Sequence, residues 1–273
     1  MTLSLNRIGG FVSETGAEIL AFDNTRSLLY VVSGGTVLQV IDISDPTAPS
    51  EVISFDIDDL GAPVAGANSV AFKNGLLAVA LEAEVQTDPG AVALVNLDAI
   101  SSPDDIESAT KVFVVGSLPD MVTFTPDGSK VLVANEGEPD EGIDPDGSVS
   151  IIDISGEFAS LGQENVATAD FLRFNGQEAD LRADGVRIFP DATTAQDVEP
   201  EYIAVSPDGT KAFVTLQENN AIAIVDIESA TVESIQPLGL KDFSQDGNGL
   251  DASDRDEAIK FDTVPVFGLF MPD

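Results

Sequence analysis

LPDMVTFTPDGSKVLVANEGEPDEGIDPDGSVSIIDIS, running from Leu118 to Ser155, is the stretch whose reading decides the fold of this chain. VTFTP is apolar and β-prone, and Pro126 to Lys130, PDGSK, is a tight turn in which Gly128 is free to take φ > 0. KVLVAN then reads as a second strand, and GSVSIIDIS, with its β-branched centre, as a third. Between the second and third strands lie Glu136, Glu138, Asp140, Glu141, Asp144 and Asp146, six carboxylates in eleven residues, interrupted by glycines and prolines. The unit is a strand meander with an acidic loop at one end.

The unit repeats. EPEYIAVSPDGTKAFVTLQENNAIAIVDIES, Glu199 to Ser229, follows the same plan. Pro119-Asp120 matches Pro200-Glu201, TPDGSK matches SPDGTK, VLVANE matches FVTLQE, and VSIIDIS matches IAIVDIE. Weaker copies cover Gly16 to Ser44 and Gly66 to Asp98, and Pro272-Asp273 repeats the Pro-Asp opening. Repeats of this size, with about four strands each, predict an all-β chain folded as a β-propeller. The repeats fall at about 16–65, 66–117, 118–198 and 199–268, with a fifth starting at 269. The expectation is a single domain over residues 1–273, the N-terminal blades of an incomplete seven- or eight-bladed propeller of WD40/YVTN-like type. Residues 1–15 are expected to form a lead-in strand, and a short helix is expected around Gln177 to Ala183 within the irregular stretch 156–198.

Composition narrows the function. The chain carries 48 acidic and 12 basic residues, a net charge of −36. Nucleic acid is excluded as a partner, because phosphate binding needs clustered Lys and Arg, and an anionic membrane surface is disfavoured. The charge reads as a solvated, salt-tolerant surface, or as one that collects divalent cations. Cysteine is absent, so there is no disulfide or thiol chemistry. Histidine is also absent. A Ser-His-Asp triad, a histidine general base and a histidine-rich zinc or iron site are therefore ruled out, and any metal would be a hard cation on oxygen ligands. MTLSLNRIGGFVSETG lacks the pattern of a signal peptide, and no apolar run is long enough to span a bilayer.

Three constellations could carry chemistry. In the first, Glu136, Glu138, Asp140, Asp144 and Asp146 crowd one loop, and Asp144-x-Asp146-Gly147 resembles the start of a calcium loop. It is not an EF-hand, since Ser155 stands where the bidentate Glu would be. In the second, Asp242, Asp246, Asn248, Asp251, Asp254, Asp256 and Glu257 surround glycine turns. Each is either a Ca2+ site or a solvated loop. The third is the set Asp120, Glu199, Glu201 and Asp273 at the blade openings. Equivalent positions in successive blades fall on a ring near the channel, where carboxylates could hold a metal or a cationic ligand, or could simply cap backbone N–H groups. Gln217, Glu218, Asn219 and Asn220 read first as a turn and second as a polar ligand contact. Arg173, Arg182 and Arg187, half of the six arginines, read as surface partners of neighbouring acids or as an anion-contacting insert.

GSLPDMVTFTPDGSKVLVANEGEP, DPDGSVSIIDIS, EPEYIAVSPDGTKAFVTLQENNAIAIVDI, LGLKD and GLDASDRDEAI together resemble the choice-of-anchor I domain family over nearly the whole chain. The resemblance implies a surface or secreted β-propeller related to the mesenchyme-specific cell surface glycoprotein, often labelled alkaline-phosphatase-like. It implies an extracellular or cell-surface location and a chain that continues past Pro272-Asp273. No catalytic residue carries over.

Three functions follow as expectations. The first is a calcium-stabilised binding or adhesion module for a surface or matrix ligand, and not an enzyme. The alternative is a calcium-dependent phosphoesterase, alkaline phosphatase- or phytase-like, using clustered ions and an activated water. The third is a structural fragment whose activity lies in further domains of a longer protein.

Overall fold

A computed structural model describes residues 4–33, 35–61, 64–102, 105–253, 255 and 257–272. Four antiparallel sheets of four strands follow one another along the chain, each a simple meander. The first holds β1 (Ile19–Asp23), β2 (Leu28–Val32), β3 (Val37–Asp42) and β4 (Ser50–Asp56). The second holds β5 (Gly66–Lys73), β6 (Leu76–Glu82), β7 (Pro89–Asn96) and β8 (Thr110–Ser117). The third holds β9 (Pro119–Phe124), β10 (Lys130–Asn135), β11 (Ser148–Asp153) and β12 (Val166–Asp170). The fourth holds β13 (Pro200–Val205), β14 (Lys211–Leu216), β15 (Ala221–Asp226) and β16 (Thr231–Pro237). A short ladder, β17 (Lys241–Asp242) with β18 (Phe267–Gly268), follows them.

The third and fourth repeats are equivalent down to single hydrogen bonds. Gly128, at φ +75°, donates its N–H to the Thr125 carbonyl at 2.9 Å, and Gly209, at φ +73°, does the same to Ser206 at 2.9 Å. The Asp127 carboxylate accepts from Thr125 Oγ1, Ser129 N and Ser129 Oγ, and these bonds, the Thr125 one foremost, hold it down at about 2. Asp208 accepts from Ser206 and Thr210 in the same way and is likewise lowered. One detail of the repeat alignment changes. Pro119 pairs with Asn135 and Pro200 with Leu216, so Glu136 corresponds to Gln217 and not to Glu218.

Successive sheets pack face to face, and the first strands contact in series: β1 with β5, β5 with β9, β9 with β13. One apolar cluster fills each of the three junctions. This explains why Leu77 to Leu81 is buried throughout. Leu77, Val79 and Leu81 face the first sheet, while Ala78 and Ala80 face the third. The first strand of the first sheet buries one face only. On β1, Ala21 is buried while its neighbours Leu20 and Phe22 are 57% and 50% exposed.

Two expectations about the irregular parts are settled. The helix is present as α1 (Glu178–Asp184), closed by Gly185 in the left-handed conformation. The lead-in is not a strand over its described residues. It lies across the open face of the first sheet, where Ile8, Phe11 and Ala17 stand beside Leu20 and Leu29, and Ser13 Oγ donates to Gln39 Oε1 at 2.5 Å.

Candidate functional site: carboxylates at one end of the third and fourth sheets

The starts of β9 and β13 and the ends of β10 and β14 lie at the same end of their sheets. The loop from β10 to β11 is bound there on both sides. Glu136 N donates to Leu118 O at 2.8 Å, and Gly147 N donates to Ala195 O at 2.9 Å. Gly147 is the only kind of residue that fits, because a Cβ at this position would stand 2.1 Å from the Val198 carbonyl oxygen. This close approach brings the loop of the third sheet against the segment that leads into β13.

The consequence is that two sets of residues from the sequence merge. Glu136 and Glu138 of the loop meet Asp120, Glu199 and Glu201 of the strand starts. Burial pushes the Glu136 carboxyl up to about 9, and Glu201, Asp120, Glu138 and Glu199 add like-charge repulsion in that order. Glu199 is pushed up to about 7, by burial first and then by Glu218, Glu138 and Asp197, with a hydrogen bond shared with Glu218. Glu218 keeps Oε2 buried, with no hydrogen-bond partner among the described residues besides the Glu199 carboxyl. Gln86, from the second sheet, donates to Glu138 Oε2 at 2.7 Å and ties a third sheet to the cluster.

The rest of the acidic loop diverges. Asp140 and Ile143 exchange backbone hydrogen bonds, which close the loop tip, and Asp140 is exposed. Asp144 lines a separate cavity of about 460 Å³ together with Asp191, Asp197 and Glu199. Its carboxyl is raised by burial and by Asp146. Asp197 is buried, and its two oxygens accept from Phe189 N at 3.1 Å and Asn219 Nδ2 at 3.1 Å. Among the described residues, no three Asp or Glu side chains stand close enough together to hold a metal ion as placed. What the cluster offers is a store of hard oxygen donors, crowded and partly protonated.

The second acidic loop is closed on itself. Asn248 Nδ2 donates to Asp242 O at 2.9 Å, Asp251 accepts from Lys260 N at 3.2 Å, and Asp242 accepts from Ser244 and Gln245. Asp246 lies on its exposed surface. Asp254, Asp256 and Asp273 fall outside the described residues.

The structure refines two sequence readings. Asn219 and Asn220 do form a turn, with Asn220 N bonded to Gln217 O, but neither is available to a ligand. Both are fully buried and bond backbone groups: Asn219 holds Arg187 O, Asp197 O and Glu199 N, and Asn220 holds Gly239 O and Phe270 N. Arg173, Arg182 and Arg187 form no close ion pair among the described residues, although the charges of Arg187 and Arg182 oppose the upward shift that burial gives the Asp197 carboxyl. Arg173 and Arg187 bond the carbonyls of Val232 and Glu218 and cover the rings of Phe174 and Phe189, and Arg182 bonds Phe189 O. Asp197 was missed, since a single acid before VEPEY carries no signal in the sequence.

The model of the choice-of-anchor I domain matches residues 18–273, a span that begins at β1 and takes in all four sheets and the carboxylate cluster. The chain belongs to the choice-of-anchor I domain family. No curated protein matches the sequence of this choice-of-anchor I domain. Among solved structures it is similar to the hydrazine synthase of Kuenenia stuttgartiensis, at 15% identity and a TM-score of 0.48, over 77% of this chain and 52% of that one. The domain thus spans about half the length of that solved chain. No helix among the described residues is long and apolar enough to cross a membrane.

Proposed function

We propose that this choice-of-anchor I domain is a surface-associated binding module, built as blades of a β-propeller, whose carboxylate cluster takes a hard cation, calcium above all. The observation that carries this reading is the crowding of Glu136 by Asp120, Glu138, Glu199 and Glu201. Burial first, and then four neighbours of like sign, make the ionised form costly, and a divalent cation offsets the repulsion by replacing the proton. The buried Glu218 Oε2, beside Glu199, supplies a further acceptor. Oxygen-only donors without histidine or cysteine favour calcium over zinc or copper.

The face-to-face packing of the meanders and the serial contact of β1, β5, β9 and β13 support the propeller. Family membership supports attachment to a surface. The phosphoesterase alternative gains no support from the arginines: Arg173 and Arg187 bond carbonyls and cover rings, and Arg182 bonds the Phe189 carbonyl.

Thermal unfolding after chelation, then with millimolar calcium, and with magnesium as the charge control, tests the proposal. Saturation to 100 times Kd stabilises by about 2.7 kcal/mol per independent site. A calcium-specific rise in midpoint that Glu136→Gln diminishes is the expected result. Equal, small effects of the two ions would reduce the cluster to diffuse screening.

A further inference from the structure

Between the first and second sheets lies a cavity of about 180 Å³. Its floor is formed by Leu38, Leu60, Leu77, Val95 and Ile106, all buried, and Val52, on the exposed edge strand β4, borders it. The next junction is packed differently. Between the second and third sheets Phe113 is fully buried, and Phe158 and Leu161 pack over the same core. The first junction also carries aromatic side chains, Tyr30 and Phe55 lining the cavity and Phe72 stacked on Tyr30, yet a space stays open beside them.

The lining is predominantly apolar, with Tyr30 and Arg26 as its polar side chains, so the open space forfeits dispersion contacts and water within it finds few partners. Cavities of about 150 Å³ lined by Leu, Ile and Phe stay dry and take up a benzene-sized molecule. The one charged group at the mouth is Arg26. Its guanidinium donates to Asp23 Oδ2 at 2.7 Å and is paired on its other side with Asp98, so it has two carboxylate partners already. The net charge of −36 further repels anions.

We propose that this cavity is a binding site for a small, uncharged, apolar ligand, the size of one aromatic ring or a short branched alkyl group. It stands apart from the carboxylate cluster and does not depend on the cation reading.

Toluene is the probe, with benzoate as its charged counterpart, each added to the full chain carrying ¹³C-labelled methyl groups. Toluene is expected to raise the unfolding midpoint and to shift the methyl resonances of Leu38, Leu60, Leu77 and Ile106. The methyl groups of Val133 and Val214, in the other two junctions, should stay in place. Benzoate should do neither. Val95→Phe, which fills the space, should abolish both responses to toluene. The proposal is overturned if toluene leaves these methyl groups unmoved, or shifts all three junctions alike. Equal binding of benzoate would overturn the restriction to uncharged ligands. The methyl map of the wild-type chain decides the matter even if Val95→Phe does not fold.

Discussion

Gly147 meets the backbone of Val198 so closely that a Cβ there would lie 2.1 Å from the Val198 carbonyl oxygen, and this contact is what seats the acidic loop of the third sheet on the approach to the fourth. Gly147→Ala must push the two segments apart. Overpacking of this sort costs about 1–3 kcal/mol, and the displaced partner here is backbone, which yields less easily than a side chain. Urea unfolding of the variant should show the loss. The second consequence is more specific: Glu136 would move away from Glu199 and Glu201, and the cluster's response to calcium should weaken along with stability.

The crowding of Glu136 makes stability depend on pH in a direction opposite to that of most carboxylates. Its folded value, about 9, lies above the ordinary glutamate value of 4.5. The folded state therefore holds a proton that the unfolded state has released. The stabilising contribution is complete below the unfolded value and is lost as pH rises through the folded one. Glu199, at about 7, acts in the same sense over a narrower window. Without calcium, the midpoint should fall as pH rises from 4.5 to about 9, most steeply below about 7, where both groups contribute. Glu136→Gln, which keeps the neutral form at all pH values, should flatten that slope and raise the midpoint at pH 8. A slope that survives the substitution would place the titrating groups elsewhere.

The fold was legible because its signals are local. Pro126-Asp127-Gly128 and Pro207-Asp208-Gly209 announce the same turn, and the runs VLVA and SIID announce strands buried on both faces. Strand β12, VATAD, was not legible, since an exposed edge strand needs no alternation. The site was legible only in pieces. Asp120, Glu136 and Glu201 were each singled out, but their convergence depends on the face-to-face packing of two sheets and on the contact at Gly147. Sequence spacing carries neither. The same limit explains Asn219, which reads as a turn residue and proves to be a buried clamp.

That clamp should be costly to remove. Asn219 donates from Nδ2 to Arg187 O at 2.9 Å and Asp197 O at 2.7 Å, and accepts from Glu199 N at 3.3 Å, all in a fully buried position. Asn219→Ala leaves several buried groups unpaired, and each such group costs about 1–3 kcal/mol. Asn219→Asp keeps the volume but replaces the donor with a charge that faces the Asp197 carboxylate. The aspartate variant should be at least as unstable as the alanine one at pH 7. It should recover at acidic pH, as protonation restores a donor. Chemical denaturation of both variants at the two pH values checks this.

Calcium binding at the cluster should expel protons. Glu136 is protonated at neutral pH and Glu199 is near its midpoint, so an ion that uses their oxygens must displace what they hold. Titration calorimetry in two buffers of different ionisation enthalpy reads the number released from the difference in apparent heat. The expected result is proton release at pH 7 that shrinks toward pH 9, where the carboxyls have already ionised, while affinity for calcium rises over the same interval. Asp246→Asn, in the loop that closes on itself beyond the fourth sheet, should leave both quantities unchanged. Calcium binding without proton release would mean that the ion sits on exposed carboxylates that are ionised from the start, and would remove Glu136 from the site.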